Sequence, residues 1–99
     1  MDDQKANVTI KLLGVCRRIA GRAELTLGFE GEATLKDVID KIVKKVPRLK
    51  RVLIDSDLED PRINTLILVD GKEISVLNGL ETRIENGNEI VLVSVLHAG

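Results

Sequence analysis

The sequence predicts an α+β fold, a mixed sheet of four to five strands with one main helix laid on one face. Three observations carry that prediction. Aliphatic residues, many of them β-branched, alternate with polar ones in several short runs, as half-buried strands require. A single stretch, Leu35 to Val46, repeats apolar residues at the three-four spacing of an amphipathic helix. The final run, Ile90 to Leu96, is apolar at both parities, which suits a strand in the middle of a sheet.

The elements follow in order. Asn7-Val8-Thr9-Ile10-Lys11-Leu12-Leu13 is the first strand, and Gly14 ends it. Val15 to Gly21 reads as a long connection with some apolar anchoring. Ala23 to Phe29 alternates again, so the second strand returns beside the first as a wide hairpin. Thr34 is a good helix N-cap, and Asp37, three residues on, makes an acidic form of the capping box. Leu35, Val38, Ile39, Ile42, Val43 and Val46 share one face of that helix, with Lys41, Lys44 and Lys45 on the other. Pro47 closes it. Pro47 to Asn64 reads mostly as loop, with Val52-Leu53-Ile54 docked on the core. Thr65 to Val69 is the third strand, and Asp70-Gly71 is the dipeptide that type I′ hairpin turns prefer.

Lys72 to Ser75 starts a short return strand. Asn78-Gly79 and Asn86-Gly87 mark turns before the last strand, Glu89 to Leu96. A central last strand beside the first runs parallel to it, through a crossover that contains the helix. That arrangement is the β-grasp. Residues 1–99 read as a single domain, with 1–6 as a flexible start and 97–99 as a C-terminal tail.

Composition excludes several classes of function. The 99 residues can bury roughly two-thirds of their unfolded surface without metal or disulfide support. A net charge of -1, with Phe29 as the sole aromatic residue, argues against nucleic acid as a partner. Cys16 stands alone, so no internal disulfide is possible and a reducing cytoplasm is the expected location. The polar start, Met1 to Lys5, is not a signal peptide, and no apolar run is long enough to cross a membrane.

Four segments resemble the ubiquitin-like β-grasp sulfur carriers and protein modifiers. That family includes the molybdopterin synthase small subunit, the thiazole-synthesis sulfur carrier, the ubiquitin-related modifier and the small archaeal modifier proteins. Arg17-Arg18-Ile19-Ala20-Gly21-Arg22 is similar to the first connection of the molybdopterin subunit. Leu66 to Ile74 resembles its third strand and turn, and Leu80 to Ile90 the approach to its last strand. Ser94-Val95-Leu96-His97-Ala98-Gly99 is similar to the end of the ubiquitin-related modifier.

The resemblance implies a carrier or modifier and not an enzyme. An E1-like adenylating enzyme would activate the Gly99 carboxylate with ATP. A sulfur donor or sulfurtransferase would then convert it to a thiocarboxylate, or a target-protein lysine would take it in an isopeptide bond. An acceptor enzyme would receive the sulfur, as in a molybdopterin-synthase-type complex. This chain has no phosphate-binding glycine motif, so it binds no cofactor itself and the ATP belongs to the partner. His97 and Ala98 would be the residues by which that partner recognises the tail. The family ends in Gly-Gly, and Ala98 departs from it. In a tight channel the extra methyl group could cost about 1–3 kcal/mol. Either the partner tolerates alanine, or a final glycine is absent from this sequence, or activity is lost; retained function is favoured.

Other candidates weigh less. Cys16 has no local signature pairing it with His97, the only histidine, and reads as a buried or incidental thiol. Asp55-Ser56-Asp57-Leu58-Glu59-Asp60 begins like a calcium loop, but Asp60 replaces the glycine and Leu66 the final glutamate, so no metal is expected. Lys41, Lys44, Lys45, Arg48, Lys50 and Arg51 form a basic patch, read as a solvated helix face, a docking surface or a source of target lysines for self-conjugation. One helix covers one face of the sheet, so some of the last strand's residues face outward. Val91, Val93 and Val95 are the candidate partner-docking patch. The competing reading is a β-grasp interaction module whose terminus is never activated.

Overall fold

The computed structural model of the chain describes residues 5–53 and 63–96, with 63, 64, 95 and 96 described through their backbone alone. In chain order the elements are β1 (Lys5–Gly14), α1 (Val15–Ala20), β2 (Glu24–Glu30), β3 (Ala33–Thr34), α2 (Leu35–Lys45), α3 (Lys50–Leu53), β4 (Ile63–Val69), β5 (Lys72–Glu73), β6 (Arg83–Ile84) and β7 (Glu89–Leu96). Five strands form one sheet in the order β2-β1-β7-β4-β5, and β3 pairs with β6 in a separate ribbon. β1 and β7 are parallel, while β1–β2, β4–β7 and β4–β5 are antiparallel. The most apolar strand is central, and the fold is the ubiquitin-like β-grasp.

Alternation along the strands builds the core. Val8, Ile10 and Leu12 of β1, Leu25 and Leu27 of β2, and Ile90 and Leu92 of β7 are buried on one side of the sheet. Leu35, Val38, Ile39 and Ile42 of α2 join them in one cluster. An 11-residue helix is too short to hold itself in water. Each of those buried side chains contributes about 1.5–3 kcal/mol, more than propensity can supply. Its start is fixed by a reciprocal box: Asp37 N–H donates to Thr34 Oγ1 at 3.4 Å, and Thr34 N–H to Asp37 Oδ2 at 2.9 Å.

The Asp70-Gly71 turn has both residues left-handed, φ 50 and φ 85, as a type I′ turn demands. Asp70 also accepts hydrogen bonds from Glu89 N–H at 2.8 Å and Asn88 Nδ2 at 2.6 Å. The turn is thereby tied to the start of β7.

Three expectations need correction, and one feature was not foreseen. Val15–Ala20 is a short helix and not an open connection, because helical spacing buries Val15, Cys16 and Ala20 together. Lys5 and Ala6, expected in a flexible start, pair with Glu30 and Phe29 in β1. Pro47 ends α2 but also opens a tight helical turn, Pro47–Leu49, that runs into α3 and buries Leu49 and Val52. The β3–β6 ribbon was not expected, since two residues a side carry no periodicity.

Candidate functional site

β1 and β7 end side by side, with Gly14 in register with Ser94. Gly14 has φ 63, and a Cβ there would lie 2.3 Å from the Ser94 carbonyl oxygen. Only glycine lets the chain turn into α1 so close to β7. From Ser94 runs a partly buried chain of two hydroxyls and a thiol. Thr65 Oγ1 donates to the Val52 carbonyl at 2.9 Å, Ser94 Oγ lies 2.7 Å from Thr65 Oγ1, and Cys16 Sγ lies 3.0 Å from Ser94 Oγ. Each hydroxyl has one proton. Thr65 gives its proton to Val52, so Ser94 donates to Thr65, and the Cys16 thiol donates to Ser94. Burial pushes the Cys16 thiol above its ordinary pKa; a hydrogen bond from Ser94 to the thiolate opposes this and is the smaller effect. A neutral, fully buried thiol is a structural group and not a nucleophile. The chain joins α1, α3, β4 and β7, and so fixes β7 just before residues 97–99.

The helix-free face of the sheet carries an apolar row across its central strands. Register places Leu13 of β1 and Leu66 of β4 on either side of Val93, and Leu68 of β4 beside Val91. Leu13 is 43% exposed and Leu66 40%, with Leu68, Val91 and Val93 half-buried. Lys11 and Glu89, paired at 3.1 Å, border the row. An apolar row with polar borders beside a strand end is the form of a protein-docking surface.

The Urm1 family model, described as ubiquitin related modifier, matches residues 7–99. The chain belongs to that family. No curated protein sequence matches the chain. Among solved structures, small archaeal modifier protein 1 of Methanosarcina acetivorans is 32% identical with a TM-score of 0.76, over 96% of this chain and 98% of that one. Urm1 of Trypanosoma brucei is 21% identical with a TM-score of 0.69, over 100% and 99%. A chain of the Amycolatopsis orientalis BexX/CysO complex is 20% identical with a TM-score of 0.67, over 93% and 99%. The last two show the shared fold. Membership places the chain among ubiquitin-like carriers and modifiers.

Against that family frame, Val91 and Val93 lie on the helix-free face, while the side chain of Val95 and residues His97, Ala98 and Gly99 fall outside what is described. Asp55 to Asp60 also fall outside. Among the described residues no cluster of His, Cys, Asp and Glu could hold a metal ion, and no helix is long and apolar enough to cross a membrane. The basic patch lies along α2, the Pro47–Leu49 turn and α3. Lys41 is tied to β2, donating to the Gly28 carbonyl at 2.5 Å with its ammonium 4.7 Å from the Phe29 ring centre. Sequence reasoning missed Leu13, Leu66 and Leu68. Leu12-Leu13 was the available signal: two adjacent leucines in one strand must face opposite sides.

Proposed function

We infer that this protein is a ubiquitin-like sulfur carrier and protein modifier that works through the Gly99 carboxylate. A carboxylate is a poor electrophile. An E1-like enzyme would join it to the α-phosphate of ATP, releasing pyrophosphate and leaving an acyl-adenylate. Sulfide sulfur, or a protein persulfide later cleaved by a second thiol, would displace AMP to leave a thiocarboxylate. A lysine amine attacking the activated carbonyl would instead displace AMP, lose a proton and form an isopeptide bond. The supporting observation is that the match to the ubiquitin related modifier model runs through Gly99. The apolar row of Leu13, Leu66, Leu68, Val91 and Val93 fits the same reading, as the place where the activating enzyme docks.

The test is ATP–pyrophosphate exchange by an E1-like enzyme with the full chain, and with the chain lacking Gly99. Exchange that depends on Gly99 supports the reading. Ala98, where the family has glycine, favours the second reading, an interaction module that is never activated. Absence of exchange across E1-like enzymes, with binding to the apolar row retained, would select it.

A further inference from the structure

α1 begins at the Gly14–Ser94 crossing; Arg17 and Arg18 lie in it and Arg22 just beyond it. Gly14, Arg17, Arg18, Gly21, Arg22 and Ala23 line an open depression of about 470 Å³. The three arginines are exposed, and among the described residues none of them enters an ion pair or hydrogen bond through its side chain. Four other cations are engaged, although, among the described residues, Lys44, Lys45 and Arg48 are not. Lys11 pairs with Glu89, Lys36 with Asp40, Arg83 with Glu32, and Lys41 rests on Phe29. In a chain of net charge -1, three like charges within six residues are left without a neutralising carboxylate. Gly14, which lines the depression, directly follows Leu13 of the apolar row.

We propose that Arg17, Arg18 and Arg22 form the charged rim of the docking face and receive carboxylates displayed by the protein that seats on Leu13 and Leu66. Guanidinium groups match carboxylates with two parallel hydrogen bonds, and a rim of one sign steers an oppositely charged partner. A nucleic acid fits poorly, since the chain offers Phe29 alone for stacking and its charge is not basic overall. Naming the tail-activating enzyme as that partner rests on the function proposed above; carboxylate recognition by the arginines does not.

The test is an NMR titration of the isotope-labelled full chain with a hexaglutamate peptide at low salt. Three proteins are compared: wild type, the triple variant Arg17→Gln/Arg18→Gln/Arg22→Gln, and a charge-matched control, Lys44→Gln/Lys45→Gln/Arg48→Gln. The guanidinium resonances of Arg17, Arg18 and Arg22 are expected to shift. Affinity should fall roughly tenfold in the arginine triple and stay near wild type in the control. Single Arg→Gln variants, each giving part of the loss, keep the test valid if the triple misfolds.

Equal losses in the arginine triple and the control overturn the proposal, as does absence of binding. Tighter binding of inorganic phosphate or a short single-stranded oligonucleotide than of the peptide also overturns it. A parallel exchange assay separates the two claims. Without exchange the tail reading fails, while the peptide titration still decides the arginines.

Discussion

Gly14 lies against the backbone of Ser94 so closely that a Cβ on Gly14 would stand 2.3 Å from the Ser94 carbonyl oxygen. The oxygen belongs to the central strand and has no flexible side chain to give way. Gly14→Ala should therefore cost about 2–4 kcal/mol, from the left-handed backbone and the overlap together. Gly21 is the comparison, with φ 72 and nothing within 4 Å of a built Cβ. Gly21→Ala should cost about 1 kcal/mol, from conformation alone. Urea unfolding of both variants checks this. Equal losses would mean that the contact with Ser94 contributes nothing.

Cys16 should make stability depend on alkaline pH. Its folded pKa is raised by burial, so the unfolded thiol ionises first and the folded state holds the extra proton. Stability is full below the unfolded thiol's pKa of about 8.5 and falls as pH rises from there toward the folded value. Cys16→Ala removes the group. Its unfolding free energy, though lower from the lost packing, should vary less steeply above that pH. Parallel curves for the two proteins would refute the assignment.

Much of the fold was legible because its signals are local. Thr34 with Asp37, the three-four spacing from Leu35 to Ile42, and Asp70-Gly71 each act within a few residues. The parallel pairing of β1 and β7 followed from the last strand being apolar at both parities. α1 was not legible. Six residues with no side-chain cap at Gly14 show little periodicity, and their helix is held by burial of Val15, Cys16 and Ala20. Nor was the hydroxyl chain, since Cys16 and Ser94 lie 78 positions apart and no spacing rule links them. The apolar row was half legible. Val91 and Val93 stood out within one strand, whereas Leu13, Leu66 and Leu68 join them only through the register of three strands.

Leu66 is the most direct probe of that row. At 40% exposure its side chain tolerates a charge, so Leu66→Asp should change stability by about 1 kcal/mol or less. Leu92→Asp, on the buried face of β7, should prevent folding. With an activating enzyme, Leu66→Asp should raise KM for this protein about tenfold or more while leaving kcat near wild type, as loss of a docking contact requires. An unchanged KM would remove the row from the interface.

Ala98 tests how narrow the partner's channel is. If the partner accommodates alanine, Ala98→Gly should change kcat/KM by less than about tenfold, the equivalent of 1.4 kcal/mol. A gain far beyond that would show that the methyl group obstructs activation. The comparison needs a steady-state exchange assay on the two full chains.

The central claim is that Gly99 is the reactive group. Its most direct measurement is the intact mass of the full chain after incubation with an E1-like enzyme, ATP and a sulfur donor, followed by fragmentation. The account predicts replacement of one oxygen by sulfur, located at the Gly99 carboxylate. An unchanged mass, with no ATP–pyrophosphate exchange in the same mixture, would contradict it.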